Sequence, residues 1–323
     1  MQRSSPSQIL VVTDGHAGNL RQARALADAL KLPTQDIVLA PRAPWRWVAP
    51  RRVGGAERAF GAEFEARLRD PALARTLAIG CGRQAALATR LLREHGAHAV
   101  QILDPRIRSS HWDAVVAPQH DRLRGANVVE LLGSLNPVQD GWLGASRAAF
   151  AALGKLPGPR TALLIGGPTS DMRMSMRRLD RWLRDGRKVV EREGGSVLAT
   201  TSRRTPPAMV ARVKKRLQGL PGIVWSGSVD GRNPYAGLLG WADRIVCTAD
   251  SVNMISEAAA TRAPVFVAGD RQLHGRPRRF VDALRERGRV RAFDAVLAPF
   301  DAEPMRETQR VAALLRERFG IDG

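Results

Sequence analysis

Three short segments combine glycine or hydroxyl residues with charged side chains, each directly after a predicted strand. Residues 14–19 read Asp-Gly-His-Ala-Gly-Asn, residues 166–170 read Gly-Gly-Pro-Thr-Ser, and residues 250–257 run from Asp-Ser to Ser-Glu. Glycine lets a ligand approach the backbone closely, and a helix N-terminus after such a turn attracts phosphate. The segments therefore predict binding of a phosphate-bearing ligand. Ordinary tight turns and helix caps are the alternative.

The second and third segments predict a nucleotide site. A carboxylate at Glu257, on the first turns of a helix, can accept hydrogen bonds from both hydroxyls of a ribose, unless it is simply solvated. Two arginines beside hydroxyl residues at 202–205 suit phosphate neutralisation as well as helix capping. The predicted nucleotide and phosphate ligands are Gly166, Gly167, Thr169, Ser170, Ser202, Arg203, Arg204, Asp250, Ser251, Ser256 and Glu257.

The first segment, with loops after later strands, predicts a base and an acceptor site. An acidic or histidine side chain near neutral pKa can deprotonate an acceptor hydroxyl. The candidate bases are Asp14, His16 and His120. The predicted acceptor-side residues are Gly18, Asn19, Gly82, Arg83, Asp104 and Arg106.

Residues 80–85 match the dinucleotide pattern G-x-G-x-x-A, and Asp104 follows at the spacing of a ribose-binding acid. That fingerprint normally follows the first strand of its domain, whereas a strand and a helix precede this one. We therefore expect Gly82 to serve packing and not NAD or NADP.

Short β-branched runs alternate with amphipathic stretches along the whole chain, which predicts parallel sheets with crossover helices. The pattern stops at the breaker cluster 154–159 and then begins again. We therefore predict an α/β protein with two Rossmann-like domains facing a ligand cleft. The expected domains are residues 1–156, on the acceptor side, and 157–323, on the nucleotide side. The last helix is expected to pack back on the first domain.

The charge is strongly positive. The 323 residues carry a formal net charge of +20, almost all from arginine. An anionic partner such as phosphate, nucleic acid or an acidic membrane surface fits this charge, as does a solvated basic surface. We expect no sequence-specific nucleic-acid binding, because no recognition motif is present. The two cysteines lack metal-ligand spacing, so we predict no metal site.

Residues 41–52 place two tryptophans among four arginines in a proline-broken stretch. Indoles prefer the membrane interface and arginines attract anionic headgroups. Alternatively, the tryptophans pack into the domain. The first apolar run, residues 9–12, is shorter than a signal peptide requires, and no run approaches the ~20 apolar residues of a membrane span. We expect a cytoplasmic protein whose membrane contact is at most peripheral, at the inner face of the membrane.

The whole series of motifs resembles the mitochondrial fission ELM-like (elongated mitochondria) family. It comprises Thr13-Asp14-Gly15 with Gly18-Asn19, Gly80-Cys81-Gly82-Arg83, Gln101 with Asp104-Pro105-Arg106, His120-Asp121, Gly166-Gly167-Pro168, residues 201–207, Asn233-Pro234-Tyr235 and Asp250-Ser251 with Ser256-Glu257-Ala258. Bacterial members of this family look like nucleotide-sugar enzymes, and plant members are associated with mitochondrial fission.

Residues 250–267 also resemble the carboxyl-terminal signature of GT-B enzymes. That resemblance implies that Glu257 binds ribose and that Gly166, Gly167 and Ser251 contact diphosphate. The expected function is a glycosyltransferase that uses a nucleoside diphosphate sugar and needs no further cofactor. A nucleotide-sugar epimerase and a non-catalytic membrane-surface scaffold are the alternatives.

Overall fold

The computed structural model describes residues 4–321. In chain order, its first elements are β1 (Gln8–Thr13), α1 (Ala17–Leu30), β2 (Thr34–Val38), α2 (Trp45–Val48), α3 (Ala62–Arg67), β3 (Thr76–Cys81), α4 (Arg83–Glu94), β4 (His98–Ile102), β5 (Ala114–Pro118) and β6 (Val128–Leu131). These are followed by α5 (Asp140–Ala149), β7 (Arg160–Ile165), α6 (Met176–Glu193), β8 (Ser196–Thr201), α7 (Pro207–Leu217), β9 (Gly222–Trp225) and α8 (Tyr235–Trp241). The last are β10 (Arg244–Thr248), α9 (Val252–Ala259), β11 (Val265–Ala268), α10 (Gly275–Glu286), β12 (Val290–Ala292) and α11 (Glu307–Phe319).

The strands within residues 4–321 form two six-stranded parallel sheets. Their orders are β2-β1-β3-β4-β5-β6 and β12-β11-β10-β7-β8-β9. Central strands such as β3 and β10 are buried along their whole length, as expected when helices cover both faces of a parallel sheet. This confirms the predicted α/β fold with Rossmann-like parallel sheets.

The chain divides into two compact units. Unit 1 contains residues 4–137 together with residues 306–321, and unit 2 contains residues 138–305. The final helix α11 belongs to unit 1, where Val311, Leu315 and Phe319 share a core with Leu26 and Leu30 of α1. Two backbone crossings, after residues 137 and 305, therefore join the units.

The division differs from the boundary expected at residue 156. Helix α5 lies in unit 2 and packs against α8. A Cβ added to Gly154 would lie 2.5 Å from the Trp241 ring, and one added to Gly237 would lie 2.6 Å from Phe150. The breaker cluster that sequence reasoning took for a linker thus begins with a glycine packed tightly against α8.

Helix α6 shows how local sequence positions the sheet-covering helices. The Ser175 hydroxyl accepts a hydrogen bond from the Arg178 amide at the start, and Gly194 ends the helix in the left-handed conformation (φ 64°). Leu179, Leu183 and Val190 form its buried face. Within residues 4–321 no helix combines the length and the apolar character needed to cross a membrane.

Candidate functional site

In unit 2 the carboxyl ends of β7, β8 and β10 are neighbours. Ile165 pairs with Thr201, and Leu164 pairs with Cys247. The loops that follow these strands are the three predicted to bind nucleotide. Because parallel strands end at one edge of the sheet, this register brings the predicted residues of all three loops together.

The carboxylate of Asp250 joins these loops. Its side chain is fully buried and accepts hydrogen bonds from the Thr248 hydroxyl (2.7 Å) and the Gly167 amide (3.1 Å). The guanidinium of Arg204 donates to the same carboxylate at 3.1 Å, while about half of the Arg204 side chain stays exposed. Asp250 therefore connects the three loops through hydrogen bonds, and both of its carboxylate oxygens already accept a hydrogen bond.

Burial raises the pKa of the Asp250 carboxyl group, and the hydrogen bonds from Thr248 and Gly167 and the charge of Arg204 act against that rise. Both Glu257 and Asp250 also add to the effect of burial in raising the pKa of the Cys247 thiol. Cys247 is consequently a neutral, unreactive thiol beneath the loops.

The amides of Gly166 and Gly167 were expected to donate hydrogen bonds to a diphosphate, but both already donate to protein side chains. The Gly166 amide donates to the Thr248 hydroxyl at 2.7 Å, and the Gly167 amide donates to Asp250. A Cβ on Gly166 would lie 1.9 Å from an Asp250 carboxylate oxygen. A Cβ on Gly167 would lie 2.4 Å from the Arg204 carbonyl oxygen. These glycines permit close packing of the loops, so phosphate donors have to come from other groups.

Several predicted hydroxyl ligands also have structural partners. The Thr169 hydroxyl accepts from the Met172 amide, and the Ser202 hydroxyl accepts from the Arg204 amide. The Ser251 hydroxyl caps α9, and the Ser256 hydroxyl donates to a carbonyl within α9. Each of these four hydroxyl groups therefore has a partner within its own loop or helix.

Ser170 and Arg203 are the predicted phosphate ligands that remain exposed and uncommitted. Neither side chain forms a hydrogen bond or ion pair with any residue of the segment 4–321. With the exposed part of Arg204, they are available to an anion at this edge of the sheet.

Glu257 is buried and not solvated. Only 5% of its surface is exposed, on the second turn of α9, and its carboxylate accepts a hydrogen bond from the Tyr235 hydroxyl. Tyr235 begins α8, where the Asn233 side chain accepts from its amide at 2.9 Å. Sequence reasoning did not assign Tyr235 a role. The sequence feature that could have drawn attention to Tyr235 is that it is the only tyrosine in the chain and directly follows Asn-Pro.

Unit 1 holds a second polar cluster, at the carboxyl ends of β1 and β3. The Asn19 amide group donates to both oxygens of Asp14, at 3.1 and 3.3 Å, and His16 Nδ1 lies 3.1 Å from Asp14. A Cβ on Gly82 would lie 2.5 Å from the Asn19 side chain. The predicted residues Asp14, His16, Asn19 and Gly82 thus come together, with Gly18 in the first turn of α1.

The histidine of this cluster is open to solvent and lies beside a carboxylate. Its side chain is 79% exposed. When Nδ1 donates its proton to Asp14, the second ring nitrogen is left as a proton acceptor. The close contact between Gly82 and Asn19 gives the glycine a packing role.

The other predicted acceptor-side residues lie apart from this cluster. Arg83 donates to the carbonyls of Arg46 and Trp47, and so fixes the tryptophan-containing segment on α4. Asp104 and Arg106 pair with each other at 3.3 Å.

The third base candidate, His120, follows β5, which lies three strand positions from β1, or ~14 Å at the usual strand spacing. His120 and the Asp14–His16 pair are therefore separate base candidates.

Solved structures similar to this chain define its class. One is UDP-GlcNAc 2-epimerase from Methanocaldococcus jannaschii, with a TM-score of 0.55 and 12% identity over 96% of this chain and 99% of that one. Another is MurG from Acinetobacter baumannii, with a TM-score of 0.50 and 15% identity over 97% and 100% of the two chains. The chain has the GT-B fold of glycosyltransferases and epimerases.

Sequence relatives then identify the family. The model of the mitochondrial fission ELM1 family matches residues 17–319. Mitochondrial fission protein ELM1 of Arabidopsis thaliana is 31% identical over 281 residues. That match covers 76% of this chain and 64% of the plant protein, so this chain spans less than two thirds of its relative's length. The chain belongs to the mitochondrial fission ELM1 family, which confirms the resemblance seen in its motifs.

Proposed function

We propose that unit 2 binds a nucleoside diphosphate sugar, and that the protein is a glycosyltransferase. The observation that carries this proposal is Glu257, a buried carboxylate on α9 held by a tyrosine hydroxyl at the carboxyl edge of a parallel sheet. An acidic side chain is rarely buried unless it is paired or hydrogen-bonded, as Glu257 is by Tyr235. Vicinal ribose hydroxyls would donate to this carboxylate, and the GT-B fold supports a nucleotide-sugar ligand at this edge.

Arginine side chains, and not glycine amides, neutralise the diphosphate in this proposal. Arg203 and the exposed part of Arg204 supply charge-assisted hydrogen bonds, and the start of α9 adds its helix dipole. In a transfer reaction these groups stabilise the departing nucleoside diphosphate, which gains negative charge as the bond between the anomeric carbon and the phosphate oxygen breaks and the acceptor oxygen bonds to that carbon. The reaction also needs a base for the acceptor hydroxyl, and His16, whose Nδ1 lies 3.1 Å from Asp14, is our candidate for that base.

Glu257→Gln tests the nucleotide site. Calorimetry with UDP, ADP, GDP and CDP on the parent protein identifies the nucleotide, and the variant should bind it ~5–150-fold more weakly, or ~1–3 kcal/mol. Pyrophosphate affinity should change little. The 2′-deoxynucleotide should bind the parent more weakly than the ribonucleotide, and Glu257→Gln should shrink that difference.

Glu286→Gln provides the matched control, because Glu286 is an exposed carboxylate on α10 outside the site. It should bind every ligand like the parent. Failure of all four nucleotides to bind the parent, or unchanged ribonucleotide affinity in Glu257→Gln, would show that the assignment is wrong.

An epimerase is the second candidate function, favoured by the fold of UDP-GlcNAc 2-epimerase. Fold alone does not decide between the two reactions. An epimerase converts a nucleotide sugar without an acceptor, which proton NMR of the sugar would detect in a two-component mixture. A transferase leaves the sugar configuration of the unreacted donor unchanged.

A membrane-surface role is favoured by a separate observation in unit 1. Trp47 is 63% exposed, and Val38 and Val53 on either side of it in sequence are exposed as well. Trp45 instead packs against the buried core and donates from its indole to the Gly54 carbonyl. Of the two tryptophans, Trp47 is therefore the one that we propose contacts an anionic lipid surface.

A further inference from the structure

A cavity in unit 2 lies at the carboxyl ends of β11 and β12. Its volume is about 340 Å³, within the range of small-molecule sites. One face of α6 forms one wall, and the turns at 269–272 and 292–295 form the others. None of the nucleotide-site residues considered above lines it, so it is a separate site on the same unit.

Three arginine side chains line this cavity. Arg181 and Arg271 line it and are exposed, and neither forms a hydrogen bond or ion pair with any residue among 4–321. Arg178, one turn before Arg181 on α6, lines it as well and uses one N–H on the Arg173 carbonyl. Two whole guanidinium groups and part of a third are thus available to a phosphate.

The acidic side chains of the cavity are partly committed to the protein. Asp270 pairs with Arg285. One oxygen of Asp294 accepts from the Val296 and Leu297 amides. Asp185 lies 3.9 Å from Arg184, a loose pair. With Asp270 paired to Arg285, which does not line the cavity, the three lining arginines outnumber the two remaining carboxylates. Asp185 and Asp294 keep oxygens that can accept from hydroxyl groups.

An indole gives the cavity an apolar wall. Trp182 lines it, and its ring lies against Gly269, where an added Cβ would be 2.7 Å from the indole. Gly269 has φ 88°, which a residue with a side chain rarely adopts, so the turn favours glycine and thereby leaves room for the indole. The flat face of an indole packs well on the C–H face of a sugar ring.

We propose that this cavity binds a phosphate ester that carries several hydroxyl groups, of the sugar phosphate class. Arg181 and Arg271 hold the phosphate, Asp185 and Asp294 accept from the hydroxyls, and Trp182 packs against the ring. The site is independent of Glu257 and of the proposed transfer reaction.

Calorimetry and tryptophan fluorescence with glucose 1-phosphate and ribose 5-phosphate test the proposal, with inorganic phosphate and glucose as the partial ligands. At least one ester should saturate the parent protein and bind more tightly than either partial ligand. Arg181→Gln/Arg271→Gln should weaken that ester by at least about tenfold. Arg177→Gln/Arg287→Gln removes the same charge outside the cavity and should bind like the parent.

Two further variants separate this site from the nucleotide site. Trp182→Phe should abolish the fluorescence change caused by the ester, whereas Glu257→Gln should leave both the change and the affinity intact. The proposal is overturned if neither ester saturates at millimolar concentration, if inorganic phosphate binds as tightly as the ester, or if the two double variants behave alike. Loss of ester binding in Glu257→Gln would place the ester in the nucleotide site and equally overturn it.

Discussion

Gly166→Ala should destabilise the protein far more than an ordinary glycine-to-alanine change. The new Cβ would lie 1.9 Å from an Asp250 carboxylate oxygen, whereas ordinary contacts begin at 3.4 Å. The difference, 3.4 − 1.9 Å, means that the buried carboxylate has to move by about 1.5 Å. Such a movement breaks its hydrogen bonds to the Thr248 hydroxyl and the Gly167 amide, at 2.7 and 3.1 Å.

The magnitude follows from those two hydrogen bonds. Each hydrogen bond to a charged group is worth ~1.5–3 kcal/mol when its partner is left buried. The contact with Arg204 adds at most ~1 kcal/mol, because that side chain is half exposed and screened by solvent. Replacing glycine restricts the unfolded chain and returns ~0.4–1 kcal/mol. We expect the free energy of unfolding to fall by ~2–4 kcal/mol, since part of the loss is relieved by relaxation.

Urea unfolding followed by circular dichroism measures this change, with Gly186→Ala as the control. Gly186 is buried in the middle of α6, but an added Cβ would meet nothing within 4 Å. That variant should gain ~0.5–1 kcal/mol from helix propensity. In an Asp250→Ala background the clash is gone, and the cost of Gly166→Ala should fall below ~1 kcal/mol. Equal stability of Gly166→Ala and the parent, or an equal cost in both backgrounds, would refute this reasoning.

Two further variants test other parts of the structure. Trp47→Ala should reduce salt-sensitive co-sedimentation with anionic vesicles, whereas Trp45→Ala should lower the unfolding temperature and leave lipid binding unchanged; equal sedimentation of Trp47→Ala and the parent would remove the membrane proposal. Arg289 is 3% exposed, and burial lowers its pKa to about 10, so that it stays charged at pH 7 and donates to four carbonyls around the end of α9. Arg289→Met should therefore lower the free energy of unfolding by ~3–5 kcal/mol in urea titrations, with Arg289→Lys intermediate, and a loss below ~1 kcal/mol would contradict this capping role.

The fold was predictable where strands are buried on both faces. Runs such as residues 9–12 and 161–165 are almost wholly apolar and lie inside β1 and β7. The edge strand β2, Thr34–Val38, escaped prediction because most of it is exposed and its sequence is polar. Strand β12 has three residues, of which two are exposed. Edge strands bury little surface, so hydrophobic periodicity does not mark them.

The site was predictable as a set of loops but not as a set of contacts. Strand ends in a parallel sheet place residues 166–170, 202–205 and 250–257 side by side, whatever their side chains do. Which amides remain free depends on Thr248 and Asp250, whose hydroxyl and carboxylate take the amides of the two glycines. Such competition between side chains and ligand for a donor is decided by tertiary packing. The spacing of residues along the sequence therefore does not predict which amides stay free for a ligand.

Because α11 completes unit 1 but follows unit 2 in the chain, unit 1 cannot finish folding until unit 2 has been synthesised. A ribosome releases residues 4–137 first, then the whole of unit 2, and only after it the helix that covers Leu26 and Leu30. Until then the nascent first sheet leaves those side chains uncovered, open to chaperones and to aggregation. A premature stop codon just before Glu307 would leave the continuous second unit whole and damage the first, although the lesion lies after unit 2 in the sequence.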